Sequence, residues 1–255
     1  EKAVFDAASD TQILLISDTE STKFLKYYNT PSERMHMLPP GISRDRRAPP
    51  DAQRRRLESR AGLGLSGDEH VLLFIGSGFV KKGLDRAIRA LASVQATRPE
   101  LRLRLLVVGQ DKQRKFQRLA VRLGVAGEVE FLGGRDDVAD LLLAADILVH
   151  PALDEAAGIV LLEALVSGLP VLVTDVCGYA HHIADSGGGV VLSSPFSQEA
   201  FNDALRHSLR AKFLQECQDN ALRYANSEDL YSMHATGAKL IERLLLQRDA
   251  GAAHE

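Results

Sequence analysis

From His70 to Leu192 short apolar runs alternate with longer amphipathic stretches, and this alternation predicts the elements of the chain. The apolar runs, at His70–Gly76, Leu103–Gly109, Val129–Leu132, Ile147–His150, Val171–Thr174 and Gly189–Leu192, are continuous in Val, Leu and Ile. A strand that is apolar on both faces must be covered on both faces, so the pattern predicts an α/β fold with a doubly wound, mostly parallel sheet. Between the runs, helical periodicity predicts helices at Gly83–Ala96, Lys112–Leu123, Asp137–Ala144, Gly158–Ser167 and near Tyr179–Ala184. Helices at Gln198–Leu209, Lys212–Ala225 and Ser227–Gln247 finish the chain, with a frayed end expected over Ala250–Glu255.

Ahead of this region the pattern is less regular. A short strand is predicted at Gln12–Ile16, a helix capped by Ser17-Asp18 through Tyr28, and a second short strand at Met35–Leu38. Pro39-Pro40-Gly41-Ile42 and Pro49-Pro50 then break the chain and read as a connector. The helix after it, Ala52–Ala61, is expected to turn Arg54, Arg55 and Arg56 to water. The chain opens at Glu1 without methionine and reads there like the interior of a longer protein, so a preceding region is expected.

Composition narrows the function classes. The 255 residues, 45% hydrophobic and 25% charged, suffice for a sizeable core. A net charge of −3 gives no polyelectrolyte character and argues against a nucleic-acid partner. Charge is nevertheless clustered: Arg44 to Arg60 holds seven arginines, and Arg102 to Arg122 holds seven basic residues against Asp111 alone. Such runs are solvated helix faces, or else they attract ligand phosphates or a membrane surface. Two cysteines, Cys177 and Cys217, give no disulfide framework and suggest a reducing compartment. No apolar run approaches the roughly 20 residues of a spanning helix, and the opening does not read as a signal peptide.

The stretch Ala152 to Ala164 carries the strongest chemical signal. Ala156-Ala157-Gly158 stands where a capping Ser, Thr, Asp or Asn would satisfy the first helical N–H groups, which leaves those donors and the positive helix end free for a phosphate. Glu155 and Glu163 bracket this helix start. Either they face a ligand rich in hydroxyls, or Glu163 is a solvated helix residue and Glu155 a partner of the helix dipole.

In a doubly wound sheet ligands bind beyond the carboxyl ends of the strands. The first such loop, Gly76-Ser77-Gly78-Phe79-Val80-Lys81-Lys82-Gly83, fails as a dinucleotide fingerprint because Lys81 occupies the third glycine position. It also fails as a Walker A loop, since Leu84 follows Gly83 where lysine is needed. Two lysines at a helix start oppose its dipole, a conflict resolved by an anion between them or by solvent. Gly133-Gly134 leaves room for a base against the backbone, and Asp136 or Asp137 reads as a helix cap. No Asp-x-Asp pair and no Cys/His cluster occurs, so a metal site has little support. His181-His182 reads as one ring in and one out.

Taken together, Gly76 to Gly83, Val107-Val108-Gly109, the Gly133 loop and Glu155-x7-Glu163 ending in Gly168-Leu169-Pro170-Val171 resemble the nucleotide-sugar half of retaining GT-B glycosyltransferases. Leu38 to Ile42, Val108 to Lys112, Glu155 to Val160 and Val176 to His181 look like the lipopolysaccharide core glucosyltransferases that add glucose to heptose, over about Ser17 to Tyr231. The resemblance implies a Rossmann-like half of a GT-B enzyme, UDP-glucose as donor, inner-core heptose as acceptor and no metal cofactor. It implies a cytoplasmic setting with peripheral contact at the inner membrane.

Position by position, the resemblance puts Lys82 on the donor diphosphate with Arg46 as a second cation, and Lys81, Gly78 and Gly134 in the donor loops. Glu163 matches the ribose-binding glutamate and Glu155 the residue beside the transferred sugar, while Gly158, Ile159 and Val160 offer N–H groups to phosphate. Glu155 and Lys82 are the expected catalytic pair. One departure is Lys81, where the family usually has arginine. On this reading residues 1–38 are the remnant of an acceptor domain, 39–66 a linker with a basic helix, 67–226 the nucleotide-sugar domain, and 227–255 a helix that crosses back. The chain alone is then expected to bind donor without transferring it. The rival readings are a non-catalytic nucleotide-binding module and an NAD-dependent oxidoreductase, the latter weakened by the failed glycine fingerprint.

Overall fold

The computed structural model describes residues 1–252, without the side chains of Asp18 and of residues 247–252. Its contacts divide the chain into two units, residues 1–44 with 228–255, and residues 45–227. In the first, helix α1 (Lys2–Phe5) precedes strand β1 (Ile13–Leu15), helix α2 (Asp18–Tyr28) and strand β2 (Met35–Met37), and β1 pairs with β2 in parallel. Arg34 is buried here and donates to the carbonyls of Val4, Asp6 and Thr11, which ties the opening turn to the strands.

The second unit begins with helix α3 (Ala52–Gly62) and continues as strict strand–helix alternation. Its strands are β3 (Glu69–Ile75), β4 (Arg102–Val108), β5 (Val129–Gly133), β6 (Ile147–His150), β7 (Val171–Thr174) and β8 (Gly189–Leu192). Its helices are α4 (Leu84–Thr97), α5 (Arg114–Arg122), α6 (Val138–Ala144), α7 (Ile159–Ser167), α8 (Ala180–Ser186), α9 (Gln198–Ser208) and α10 (Ala211–Ser227). The six strands are all parallel, in the order β5-β4-β3-β6-β7-β8. The order reverses direction between β3 and β6, and a crevice at such a switch point is where open α/β sheets bind ligands.

The apolar runs predict this arrangement for a physical reason. Val71 to Phe74 in β3 have no exposure at all, because α4, α5 and α9 cover one face and α6, α7, α8 and α10 the other. Phe74, Phe79, Phe116 and Phe201 lie in the first of these layers.

Two local readings need correction. Of Arg54, Arg55 and Arg56 on α3, only Arg54 faces water. Arg55 pairs with Asp140 of α6, and Arg56 donates to the carbonyls of Leu143 and Ala145 and to the Asp146 carboxylate. Arg60, also on α3, is buried and adds a contact to Asp146. The helix is basic because α6 and its exit are acidic and rich in free carbonyls. The last helix, α11, spans Met233–Ala252 and does not start at Ser227. Asp229 accepts from the N–H groups of Tyr231 and Ser232 at 3.1 Å, a turn that separates α10 from α11. Helix α11 groups with residues 1–44, where Met233 N–H donates to Pro40 O at 3.2 Å and Ile42 N–H to Leu230 O at 2.9 Å. The fraying expected from Ala250 onward lies in part outside the described residues.

Candidate active site

The loop after β3 is held open by two glycines and one phenylalanine. Phe79 is fully buried edge-on against Phe74 and Phe116, and its N–H donates to Asp111 Oδ2 at 2.8 Å. Gly78 adopts φ +77°, which lets the chain reverse and bring Lys82 back toward the strand end. Gly76, at φ +131°, clears the way: a Cβ there would stand 2.6 Å from Lys82 Cε. The two lysines then part. Lys81 is 73% exposed and pairs with Asp154 at 2.9 Å, whereas Lys82 is 21% exposed and turns inward.

Lys82 meets Glu155, from the loop after β6, in a direct ion pair. The Glu155 carboxyl is held down to about 2, first by His150 and then by Lys82, against the opposing effect of burial. His150 ends β6 with no exposure; its Nε2 lies 3.6 Å from Glu155 Oε2, and neither ring nitrogen has a hydrogen-bond partner among the described residues. Burial, the largest effect, pushes its pKa down, while Glu155 opposes the fall.

Helix α7 starts beside this pair. Gly158 is its N-cap at φ +83° and has no side chain to cap with, so Ile159 and Val160 open the helix without a side-chain cap. The helix is buried almost all round, which removes the solvated-face alternative for Glu163. The Glu163 carboxylate sits 3.5 Å from Arg46 Nε, and burial raises its pKa while Arg46 opposes the rise. Arg46 and Glu163 are thus neighbours, as are Lys82 and Glu155.

Elsewhere the loops are less open than the sequence suggests. The Gln110 side chain lies over Gly134, where a Cβ would stand 2.6 Å from Gln110 Nε2, so a base would have to share or displace that amide. Asp137 precedes α6 at the N-cap position, yet its carboxylate makes no cap bond and is held by Arg135. His181 is exposed and His182 half-buried against Tyr224, one out and one largely in. Among the described residues no three His, Cys, Asp or Glu side chains gather as metal ligands, and no helix is long and apolar enough to cross a membrane.

The residue that sequence reasoning missed is His150. Its only signal is a histidine closing an otherwise apolar strand, directly before the loop that carries Glu155.

The loops after β3 and β6 thus meet beside the uncapped start of α7, where the strand order reverses. Residues 55–225 match the glycosyl transferases group 1, and the chain belongs to that family. The lipopolysaccharide glucosyltransferase WaaG of Escherichia coli is 46% identical over 242 residues, which cover 94% of this chain and 64% of that protein. The crystal structure of WaaG superposes with a TM-score of 0.90 at 45% identity, covering 94% of this chain and 65% of that one. The D-inositol 3-phosphate glycosyltransferase of Streptomyces avermitilis is 35% identical over 196 residues, 73% of this chain and 41% of that protein. Anabaena HepE, solved with UDP-glucose, shares the fold with a TM-score of 0.79 at 21% identity, over 92% of this chain and 65% of that one. The chain therefore spans less than two thirds of the length of these relatives.

Proposed function

We propose that this chain is the donor-binding part of a retaining glycosyltransferase that moves glucose from UDP-glucose to the inner-core heptose of lipopolysaccharide. The observation that carries the reading is the meeting of Lys82, Glu155 and the uncapped start of α7 at the β3/β6 switch point, with Glu163 one turn further along that helix beside Arg46. The 46% identity to a lipopolysaccharide glucosyltransferase supports the choice of donor and acceptor.

The chemistry follows from charge. As UDP departs from the anomeric carbon, negative charge grows on the diphosphate while the sugar becomes oxocarbenium-like. In this reading Lys82 and the N–H groups of Ile159 and Val160 stabilise that leaving group without a metal. Glu163 holds the ribose hydroxyls with Arg46 beside it, and Glu155 holds glucose for attack on the face the diphosphate leaves. Gly78, Lys81 and Gly134 frame the loops around the donor. A lipid-linked acceptor implies work in the cytoplasm with peripheral contact at the inner-membrane surface, and the exposed basic residues Arg114, Lys115, Arg118 and Arg122 of α5 suit such contact.

A calorimetric panel tests the reading. UDP and UDP-glucose are expected to bind, and GDP-mannose and NAD are not; NAD binding with no response to UDP would contradict it.

A further inference from the structure

Lys82 and Glu155 occupy each other in this structure, yet the proposed donor site asks Lys82 to turn to diphosphate and Glu155 to turn to glucose. Once Lys82 leaves, Glu155 Oε2 loses its partner in a half-buried place, and a carboxylate there must find another donor or forfeit its orientation. One group is in reach. His150 has no exposure and packs face-on to Phe74 with ring centroids 6.4 Å apart, and its Nε2 stands 3.6 Å from that same Oε2. Both its ring nitrogens lack partners among the described residues, a cost that buried polar groups seldom bear without a role. Phe74 and the strand hold the ring, so a shift of well under 1 Å by the Glu155 side chain brings the pair into hydrogen-bond range.

We infer that His150 is the positioning residue for Glu155: carrying its proton on Nε2, it takes the carboxylate over from Lys82 when donor binds and aims the other oxygen, Oε1, at the glucose hydroxyls. No bond is made or broken covalently; a single hydrogen bond replaces an ion pair. The inference rests on the donor-site reading above and adds to it a specificity device, because the hand-over matters only for a ligand that bears a sugar. UDP needs Lys82 released but has nothing for Glu155 to hold.

The test compares UDP with UDP-glucose on the wild-type chain and on His150→Leu, His150→Gln and Lys82→Met, with thermal unfolding to confirm that each folds. The wild type is expected to bind UDP-glucose more tightly than UDP. His150→Leu is expected to weaken UDP-glucose by about tenfold or more, the loss of one hydrogen bond to a charged group, with UDP unchanged. His150→Gln, which keeps a terminal N–H donor, is expected to recover part of the loss, and Lys82→Met to weaken both ligands alike. If His150→Leu folds yet weakens both ligands equally, or neither, the inference is overturned. Equal wild-type affinity for UDP and UDP-glucose overturns it too while leaving the diphosphate site standing. Failure of UDP itself to bind overturns the donor-site reading and the inference together.

Discussion

Lys82 and Glu155 form an ion pair across 73 positions of sequence, joining the loop after β3 to the loop after β6. It spans the switch point of the sheet, so the two groups proposed to act on opposite parts of the donor hold each other until it arrives. The stability of this pair is measurable apart from any ligand.

The Glu155 carboxyl falls to about 2 from an ordinary value of 4.5, and a depressed acid stabilises the fold in full where it is ionised in both states and loses that contribution as it protonates. That stability is present in full above about pH 4.5 and is lost as pH falls toward 2. Its size is at most about 3 kcal/mol, the shift converted at 1.36 kcal/mol per unit. Glu155→Gln is therefore expected to unfold with a flatter pH dependence between pH 4.5 and 2 than the wild type. Identical slopes in urea midpoints over that range would remove the coupling.

Glu163 behaves in the opposite sense. Burial raises its pKa, so ionising it costs stability as pH climbs through the folded value. Glu163→Gln is expected to keep or slightly raise the melting temperature at pH 7. The same change is expected to weaken UDP by on the order of 1.5 to 3 kcal/mol through lost bonds to ribose. Scanning calorimetry and UDP titration on one preparation read both effects, and an unchanged dissociation constant would return Glu163 to a purely structural role.

A third prediction concerns the fold alone. Asp146 accepts from Val71 N–H at 2.7 Å and pairs with Arg56 and Arg60, so its loss leaves two largely buried guanidiniums short of their counter-charge. Asp146→Ala is expected to cost about 3 kcal/mol or more. A denaturant midpoint within error of wild type would show that the cluster is solvated in practice.

The reasons for these outcomes also explain what was legible in the sequence. The six sheet strands were readable because burial on both faces demands uninterrupted Val, Leu and Ile, as in Val71 to Phe74. The start of α7 was readable because Gly158 cannot cap with a side chain. Arg55 and Arg56 were not, since periodicity on α3 does not show that α6 opposes it with Asp140 and Asp146. The break at 228–232 was hidden for a similar reason: Asp229 holds a turn through backbone bonds while the flanking residues keep helical composition. Lys81 and Lys82 look alike in sequence, and only the space over Gly76 tells which turns inward. His150 gave one letter of signal, and its meaning depends on where Glu155 folds back.

The central claim is that this chain holds a nucleotide sugar by lysine, helix terminus and carboxylates, with no metal. Titration of UDP-glucose into the chain in excess EDTA tests it most directly. The account predicts saturable binding of one equivalent, the same with EDTA as with added magnesium, and weakened in Lys82→Met. Binding that appears only with magnesium, or none with or without it, would contradict the account.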